Sequence, residues 1–570
     1  MDEDVTYSQS GPHLGNQYLE DSALKAFLKT LTGGLPEEYQ GDLMRFGKRV
    51  VVDLLPHHLR LNVHFPRFEP FDAWGKRVDS VETDPSWSYM HLVAAQERLI
   101  SIGYSQLPQR RLYQFTKLYL YAPSSGMYLC PLAMTDGAAA LTRSIMLETP
   151  GDKELQEVFT HLTSSDPQEL WTAGQWMTEK RGGSDVAGGT RTVAQRVNGD
   201  LYKLYGVKWF TSAIQSNVAY TLARVDGAIG LFLVKVRRED GGLNGIQVLR
   251  LKDKLGTKQV PTAELLLTGC EARLCCKPGQ GIKRITELVN ITRLYNSIAA
   301  VSHMRRIIAL ARDYAHRRQV AGTVLLAEVP LHLRILGEME LRFRGCLGLV
   351  LFVVTLLDKA EDGTASPAER QTLRLLTPVA KLYTAKEALA VVSEGLESFG
   401  GLGYMENSGL PGLERDVQVL SIWEGTTNVL SLDTLRALSR MKEPPLSSYK
   451  KAMLPMLNQC QLPIRDFLTS EIDRLSQLLS SSSPADLELY SRELSFTIAH
   501  LTIAAFLAFH SQCEPQDREV YEAWAQRTLP WKLGGCGQEL SRRLALDLDK
   551  AQLPRGYADV DEQGNPRPRF

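Results

Sequence analysis

Neither sign of charge is in excess in this chain. Lys+Arg and Asp+Glu each number 65 among 570 residues, so no overall field draws it to nucleic acid or to an anionic membrane surface. Cysteine is sparse and scattered. The eight residues, at 130, 270, 275, 276, 346, 460, 513 and 536, form no CxxC pair and no Cys/His cluster with zinc-ligand spacing. No metal site is expected, and the vicinal pair Cys275-Cys276 reads as reduced thiols. Long apolar runs are also lacking. The most apolar stretch, 346–357, is closed at once by Asp358 and Lys359, which suits a buried helix rather than a membrane span. The first thirty residues are acidic and polar, without the apolar centre of a secretory signal or the Arg-rich character of a mitochondrial presequence, and the terminal Arg-Pro-Arg-Phe is not a peroxisomal address. The expectation is a soluble, cytoplasmic protein.

What remains is an ordinary globular composition, 44% hydrophobic and 23% charged, in a chain long enough for about two to four domains. From 20 to 165 the apolar spacing is mainly helical, as in 92–103 and 111–121. From 170 to 275 short β-branched and aromatic segments (201–209, 219–225, 229–236) lie between Gly, Asn and Asp turns, which predicts a small β domain. Helical period returns from 280 to 440, with long helices expected over 282–315, 331–357 and 375–396, the last beginning around Pro378. A linker is expected at 443–448, followed by more helices interrupted at 480–484. The predicted fold is α+β: an N-terminal helical domain (1–168), a central β domain (169–278), a helical bundle (279–442) and a C-terminal helical extension (443–570).

Three motifs fall at the joints. The first is Trp176-Met-Thr-Glu-Lys-Arg-Gly-Gly-Ser-Asp-Val186. Gly182 and Gly183 let backbone approach a planar or anionic ligand, while Thr178 and Ser184 offer hydroxyls to the edge of a ring system; alone, it also reads as a surface turn. The second, Gly206-Val-Lys-Trp-Phe-Thr-Ser212, places Trp209 and Thr211 on one face of a regular strand, an indole for a flat cofactor and a hydroxyl for its edge. Taken singly, Trp209 is equally a core residue. The third is Ser398-Phe-Gly-Gly-Leu-Gly-Tyr404, followed by Ser421-Ile-Trp-Glu-Gly-Thr-Thr-Asn-Val429. Adjacent glycines after a long helix suit a pyrophosphate or a helix C-cap. Glu424, in an apolar setting, suits a general base or a carboxylate near a helix start.

Together and in this order, the motifs resemble those of the acyl-CoA dehydrogenase superfamily, over about residues 85–440. Met177-Thr178 through Ser184-Asp185, with Gly183 among them, resemble its first flavin-contacting segment, Trp209 and Thr211 the pair at the flavin ring, Gly400 and Gly401 the glycines near the cofactor diphosphate. Trp423-Glu424-Gly425-Thr426 resembles the catalytic segment. Segments 177–186, 250–256, 304–306 with 314–318, 404–410 and 421–425 resemble the AidB-type branch in particular. That branch carries a C-terminal helical extension and includes a bacterial flavoprotein of the alkylation response and animal proteins that bind longer acyl-CoA chains.

The resemblance implies FAD as cofactor and α,β-dehydrogenation of an acyl-CoA, medium to long chains favoured, with Glu424 as the base that removes the α-proton and flavin N5 as hydride acceptor. It implies cofactor contacts from Thr426 and Asn428, and substrate contacts from Ser184, Arg293, Trp423 and Gly425. Arg318 matches an arginine that reaches the FAD of a neighbouring subunit, so a homo-oligomer, dimer or tetramer, is implied. Val320-Ala321-Gly322 departs from the family pattern there, since relatives carry an aromatic, and Glu397 stands where many have an amide.

Two other readings belong to different classes: a flavoprotein that binds or sequesters acyl-CoA with little turnover, and a nucleic-acid-associated flavoprotein. Against the last, residues 441–570 hold 15 Lys+Arg and 17 Asp+Glu, with no cationic cluster beyond Arg542-Arg543 and Arg567/Arg569, where phosphate binding needs one. The apolar segment 496–509 points to packing instead.

Overall fold

The computed structural model describes residues 8–440 and 444–528. Cys536, Arg542-Arg543, Arg567, Arg569 and the rest of the terminal stretch lie outside the described residues. The N-terminal helices start where short acidic side chains accept first-turn amides. Asp21 accepts Leu24 N–H at helix Ser22–Thr32, Asp84 accepts Ser86 N–H at Pro85–Gln96, and Asp152 accepts Leu155 N–H at Lys153–Leu162. The expected helix over 92–103 is really the end of Pro85–Gln96 followed by a 3-10 turn, Ser101–Tyr104. The mainly helical reading of this region also lacked a hairpin, strands β1 (Arg67–Phe71) and β2 (Arg77–Glu82). Its apolar alternation is short and interrupted by Pro70, and its stability comes from far along the chain: Arg77 donates to the Val248 carbonyl at 2.6 Å and Asp79 accepts Val248 N–H at 3.1 Å.

The central region is a seven-stranded sheet of β3 (Ala173–Trp176), β4 (Val193–Asn198), β5 (Leu201–Ser212), β6 (Val218–Val225), β7 (Ala228–Lys235), β8 (Ile246–Leu251) and β9 (Thr262–Leu274). Its path runs β3-β6-β4-β5-β9-β7, β8 pairs with β9, and a β6–β7 pairing closes the path on itself into a barrel. The β6–β7 hairpin turns on Asp226-Gly227, both at positive φ (50° and 81°), the geometry that Asp-Gly favours in tight hairpins. Trp176, Leu204, Phe232, Val234 and Leu265 fill its interior.

The bundle is built on three long helices, Gly281–Ala315, Pro330–Glu361 and Pro367–Glu397. The third begins well before Pro378, which sits inside it. A stronger start signal lies upstream: Ser366 accepts Glu369 N–H, Glu369 returns a carboxylate to Ser366 N–H at 2.8 Å, and Pro367 opens the first turn. The apolar run 346–357 is, as expected, inside a buried helix. Part of what covers it is the C-terminal extension, whose helix Ser491–Cys513 packs on Pro330–Glu361. Among the described residues, Ser491–Cys513 is the one helix long and apolar enough to cross a membrane, and its apolar window is 78% buried inside the protein.

Candidate functional site

Glu424 lies in the turn between the bundle and helix Thr427–Ser439. Its backbone is left-handed, with φ at 56°, a conformation that costs a side chain about 1–3 kcal/mol and persists where surroundings fix it. Those surroundings are specific. Thr292, on helix Gly281–Ala315, donates its hydroxyl to Glu424 Oε2 at 2.6 Å. The next residue, Arg293, donates Nε to the Glu424 carbonyl at 3.3 Å and pairs through Nη1 with Asp433 at 2.7 Å. Lys381, from helix Pro367–Glu397, donates Nζ to the Gly425 carbonyl at 2.6 Å. Trp423 donates its indole N–H to Asn296. Burial raises the Glu424 pKa above the ordinary carboxylate value, opposed by the Thr292 hydrogen bond, the charges of Arg293 and Lys381, and Gln175 on β3. Burial also pushes the Lys381 ammonium down, to about 7. The result is a carboxylate made more basic than in water yet not stripped of donors.

Gln175 leads directly into the first motif, so the base faces the barrel. Met177 and Thr178 are half-buried, while Gly183 (φ 103°) and Ser184 are exposed. Trp209 N–H donates to the Thr178 carbonyl at 2.8 Å, joining the first two motifs. Beside that bond runs a buried ion pair that sequence reasoning did not single out: Lys208 and Glu179 meet at 2.8 Å, and Glu179 also accepts the Thr192 hydroxyl. The register slips between Lys208 and Thr211, so plain alternation does not hold there. Lys208 and Thr211 are both buried, Trp209 is half-open, and the Thr211 hydroxyl donates to the Ala263 carbonyl at 2.6 Å. Lys252 Nζ lies 3.1 Å above the Trp209 ring centre, and Lys180 lies 5.0 Å from it.

Arg318, Gly400 and Gly401 are not with this group. Helix Gly281–Ala315 carries Arg293 about a third of the way along, and its C-terminal end lies about 33 Å from that residue at 1.5 Å per residue. There Arg318 donates to Gln9 at 3.3 Å, and Tyr314 and Phe399 pack ring to ring at 4.9 Å. Gly400 (φ 56°) and Gly401 are exposed, and a Cβ on either meets nothing within 4 Å. Glu397 is exposed at the same end. Thr426 and Asn428 are exposed beside the base turn, Asn428 accepting from Arg492 of the extension at 3.5 Å.

A cavity of about 390 Å³ opens between helix Leu129–Glu148, the start of Gly281–Ala315 and the start of Pro367–Glu397. Arg143, Arg370 and Arg374 line it together with Glu287 and Glu361, and Arg143 pairs with Glu361 at 3.4 Å. Arg374 pairs with Asp433 at 2.6 Å, Asp433 pairs with Arg293, and Arg293 hydrogen-bonds the Glu424 backbone carbonyl, so two ion pairs and one hydrogen bond lead from the cavity to the base turn. Arg143, Arg370 and Arg374 carry no local sequence signal, because the helices that bring them together are far apart in the chain.

A barrel between two helical layers, with a half-buried carboxylate facing it from the bundle, defines a known class. Residues 174–270 match the acyl-CoA dehydrogenase middle domain, residues 279–439 the acyl-CoA dehydrogenase C-terminal domain, and residues 11–163 the adaptive response protein AidB N-terminal domain. The chain belongs to the acyl-CoA dehydrogenase family, in its AidB-type branch. It is 43% identical over 534 residues to acyl-CoA dehydrogenase family member 11 of Caenorhabditis elegans, covering 89% of this chain and 86% of that one. It is 32% identical over 433 residues to the putative acyl-CoA dehydrogenase AidB of Escherichia coli, covering 75% and 78%. The structure of Caenorhabditis elegans ACDH-11 in complex with C11-CoA superposes with a TM-score of 0.88 at 40% identity, over 97% of both chains.

Proposed function

We propose that this protein oxidises an acyl-CoA between its α- and β-carbons, with FAD as cofactor and Glu424 as base. The observation that carries the reading is the Glu424 carboxyl: half-buried, hydrogen-bonded by Thr292, raised in pKa, and set on a turn that Arg293 and Asp433 link to a cavity with three arginines on its wall. A CoA thioester suits the cationic part of that wall, which also carries Glu287 and Glu361. Its phosphates suit Arg143, Arg370 and Arg374, and its weakly acidic α-carbon needs a base stronger than an exposed carboxylate. The C11-CoA bound to the nematode relative supports the substrate class.

The residues present fit FAD. Gly183, Gly400 and Gly401 leave room where a Cβ would stand, and the half-open Trp209 indole offers a flat wall beside Thr178. Met177, Thr178, Gly183, Ser184, Trp209, Thr211, Thr426 and Asn428 would hold the flavin part. When bound, FAD supplies the two-electron acceptor for the hydride leaving the β-carbon. Glu424 takes the α-proton onto a carboxylate oxygen, and its own backbone N–H is the donor available to the thioester oxygen as negative charge builds there. Trp423 and Gly425 shape the floor under the acyl chain. Because Arg318, Gly400 and Gly401 stand at the far end of the bundle, we assign them to the cofactor of a second copy, which requires at least a dimer.

The test is anaerobic titration of the FAD-loaded protein with saturated acyl-CoAs from C4 to C20, followed by flavin absorbance. Bleaching by one range of chain lengths, with Glu424→Gln binding the same acyl-CoA but bleaching about 10²–10⁴-fold more slowly, is the expected result. Tight binding with no bleaching by any acyl-CoA would make the protein a carrier instead.

A further inference from the structure

Lys381 is fully buried, 0% exposed, in the middle of helix Pro367–Glu397. Among the described residues no carboxylate lies within ion-pair distance, and its ammonium meets the Gly425 carbonyl at 2.6 Å. A buried charge on a lone carbonyl is costly, and an apolar residue would fill this helical position without that cost. The charged groups facing it are Glu424, from the base turn, and Arg293, from helix Gly281–Ala315.

The neighbouring contacts show what the turn requires. Arg293 holds the carbonyl of Glu424 and Lys381 holds the carbonyl of the next residue, Gly425. On the other side Trp423 is tied through its indole to Asn296. Two consecutive peptide planes after Glu424 and the side chain before it are thereby fixed by three different attachments. Between them Glu424 adopts a left-handed φ of 56° and Gly425 a φ of 104°, which an unheld turn would abandon. We infer that Lys381 is a positioning residue for the base. By holding the Gly425 carbonyl it keeps Glu424 in the conformation that aims its carboxylate, and its charge sustains the ionised form of that carboxylate.

This inference rests on the dehydrogenase reading, and the experiment separates the two. Wild type, Lys381→Met, Lys381→Gln and Lys381→Arg are loaded with FAD and compared in three measurements: acyl-CoA binding, exchange of the substrate α-hydrogen with D₂O, and the pH profile of flavin reduction. Lys381→Met is expected to bind FAD and acyl-CoA within about threefold of wild type while losing on the order of tenfold to a hundredfold in exchange and reduction, the scale of a small misplacement of reacting groups. With the neighbouring cation gone, the acid limb of its pH profile moves to higher pH. Lys381→Arg restores most of the rate. Lys381→Gln, an uncharged donor, restores rate at its plateau but keeps the displaced acid limb. The inference is overturned if Lys381→Met, or Lys381→Gln should Lys381→Met not fold, exchanges the α-hydrogen at the wild-type rate with the wild-type pH profile. Absence of exchange in the wild type itself overturns the dehydrogenase reading first.

Discussion

Thr292 and Glu424 are 132 positions apart in the chain and 2.6 Å apart in space. The hydroxyl favours the ionised carboxylate while burial disfavours it, and the balance decides at what pH the base becomes active. Proton abstraction needs the ionised form, so activity rises as pH passes upward through the Glu424 pKa. Thr292→Val removes a donor to a charged acceptor, an interaction of about 1.5–3 kcal/mol, equivalent to about one to two pKa units. The acid limb of the kcat/KM profile should therefore move up by about that amount while its high-pH plateau changes little. A profile superimposable on wild type would remove Thr292 from any control of the base. The carboxylate was legible from the sequence because its flanking tripeptide is distinctive. Its supports were not. Lys381 and Arg374 read as ordinary charges on a helix, and Asp433 as one polar residue among many. Burial and the meeting of distant helices give them their part in the site.

At the scale of elements, the long helices and the barrel strands were readable from period and punctuation, and the departures have local causes. Pro378 looked like a start because proline often opens helices, but the Ser366–Glu369 box outweighed it. The slip between Lys208 and Thr211 escaped because a bulge leaves no mark in the residue pattern. The contact between Pro330–Glu361 and the extension depends on two glycines. A Cβ on Gly348 would stand 2.4 Å from the Phe506 ring, and one on Gly345 would stand 2.6 Å from Trp524. Both aromatics are fully buried and have no room to withdraw. Gly348→Ala should therefore cost about 1–3 kcal/mol through overpacking, read as a lowered urea midpoint. Pairing it with Phe506→Leu should recover part of that loss, since the two positions are in contact. Strict additivity of the two changes would show that the interface yields more easily than its packing implies.

The whole molecule has a principal apolar cluster that runs from the N-terminal helices through the bundle into the extension. Polar contacts follow the same route: Arg344 reaches Asp517 at 3.2 Å, and Thr30 reaches His510 at 2.6 Å. The extension is thus part of the core, not a module on a tether. A chain ending at Ser439 should expose the faces around Gly345, Leu349 and Leu376, and should lose its cooperative melt or precipitate; a soluble, FAD-binding truncation with an unchanged melt would refute this. Apolar periodicity predicted helices after the bundle but not how deeply they pack, because it cannot say which surface a helix will meet.

That shared core also imposes an order on biosynthesis. The face of Pro330–Glu361 leaves the ribosome about 160 residues ahead of Phe506, which at roughly 5–20 residues per second means roughly 8–30 seconds without its cover. Throughout that interval the nascent bundle presents an unsatisfied greasy surface to the cell. Codon choice and chaperone supply while the extension is being made thus bear on how much protein survives to become native, even where no residue near Glu424 has changed.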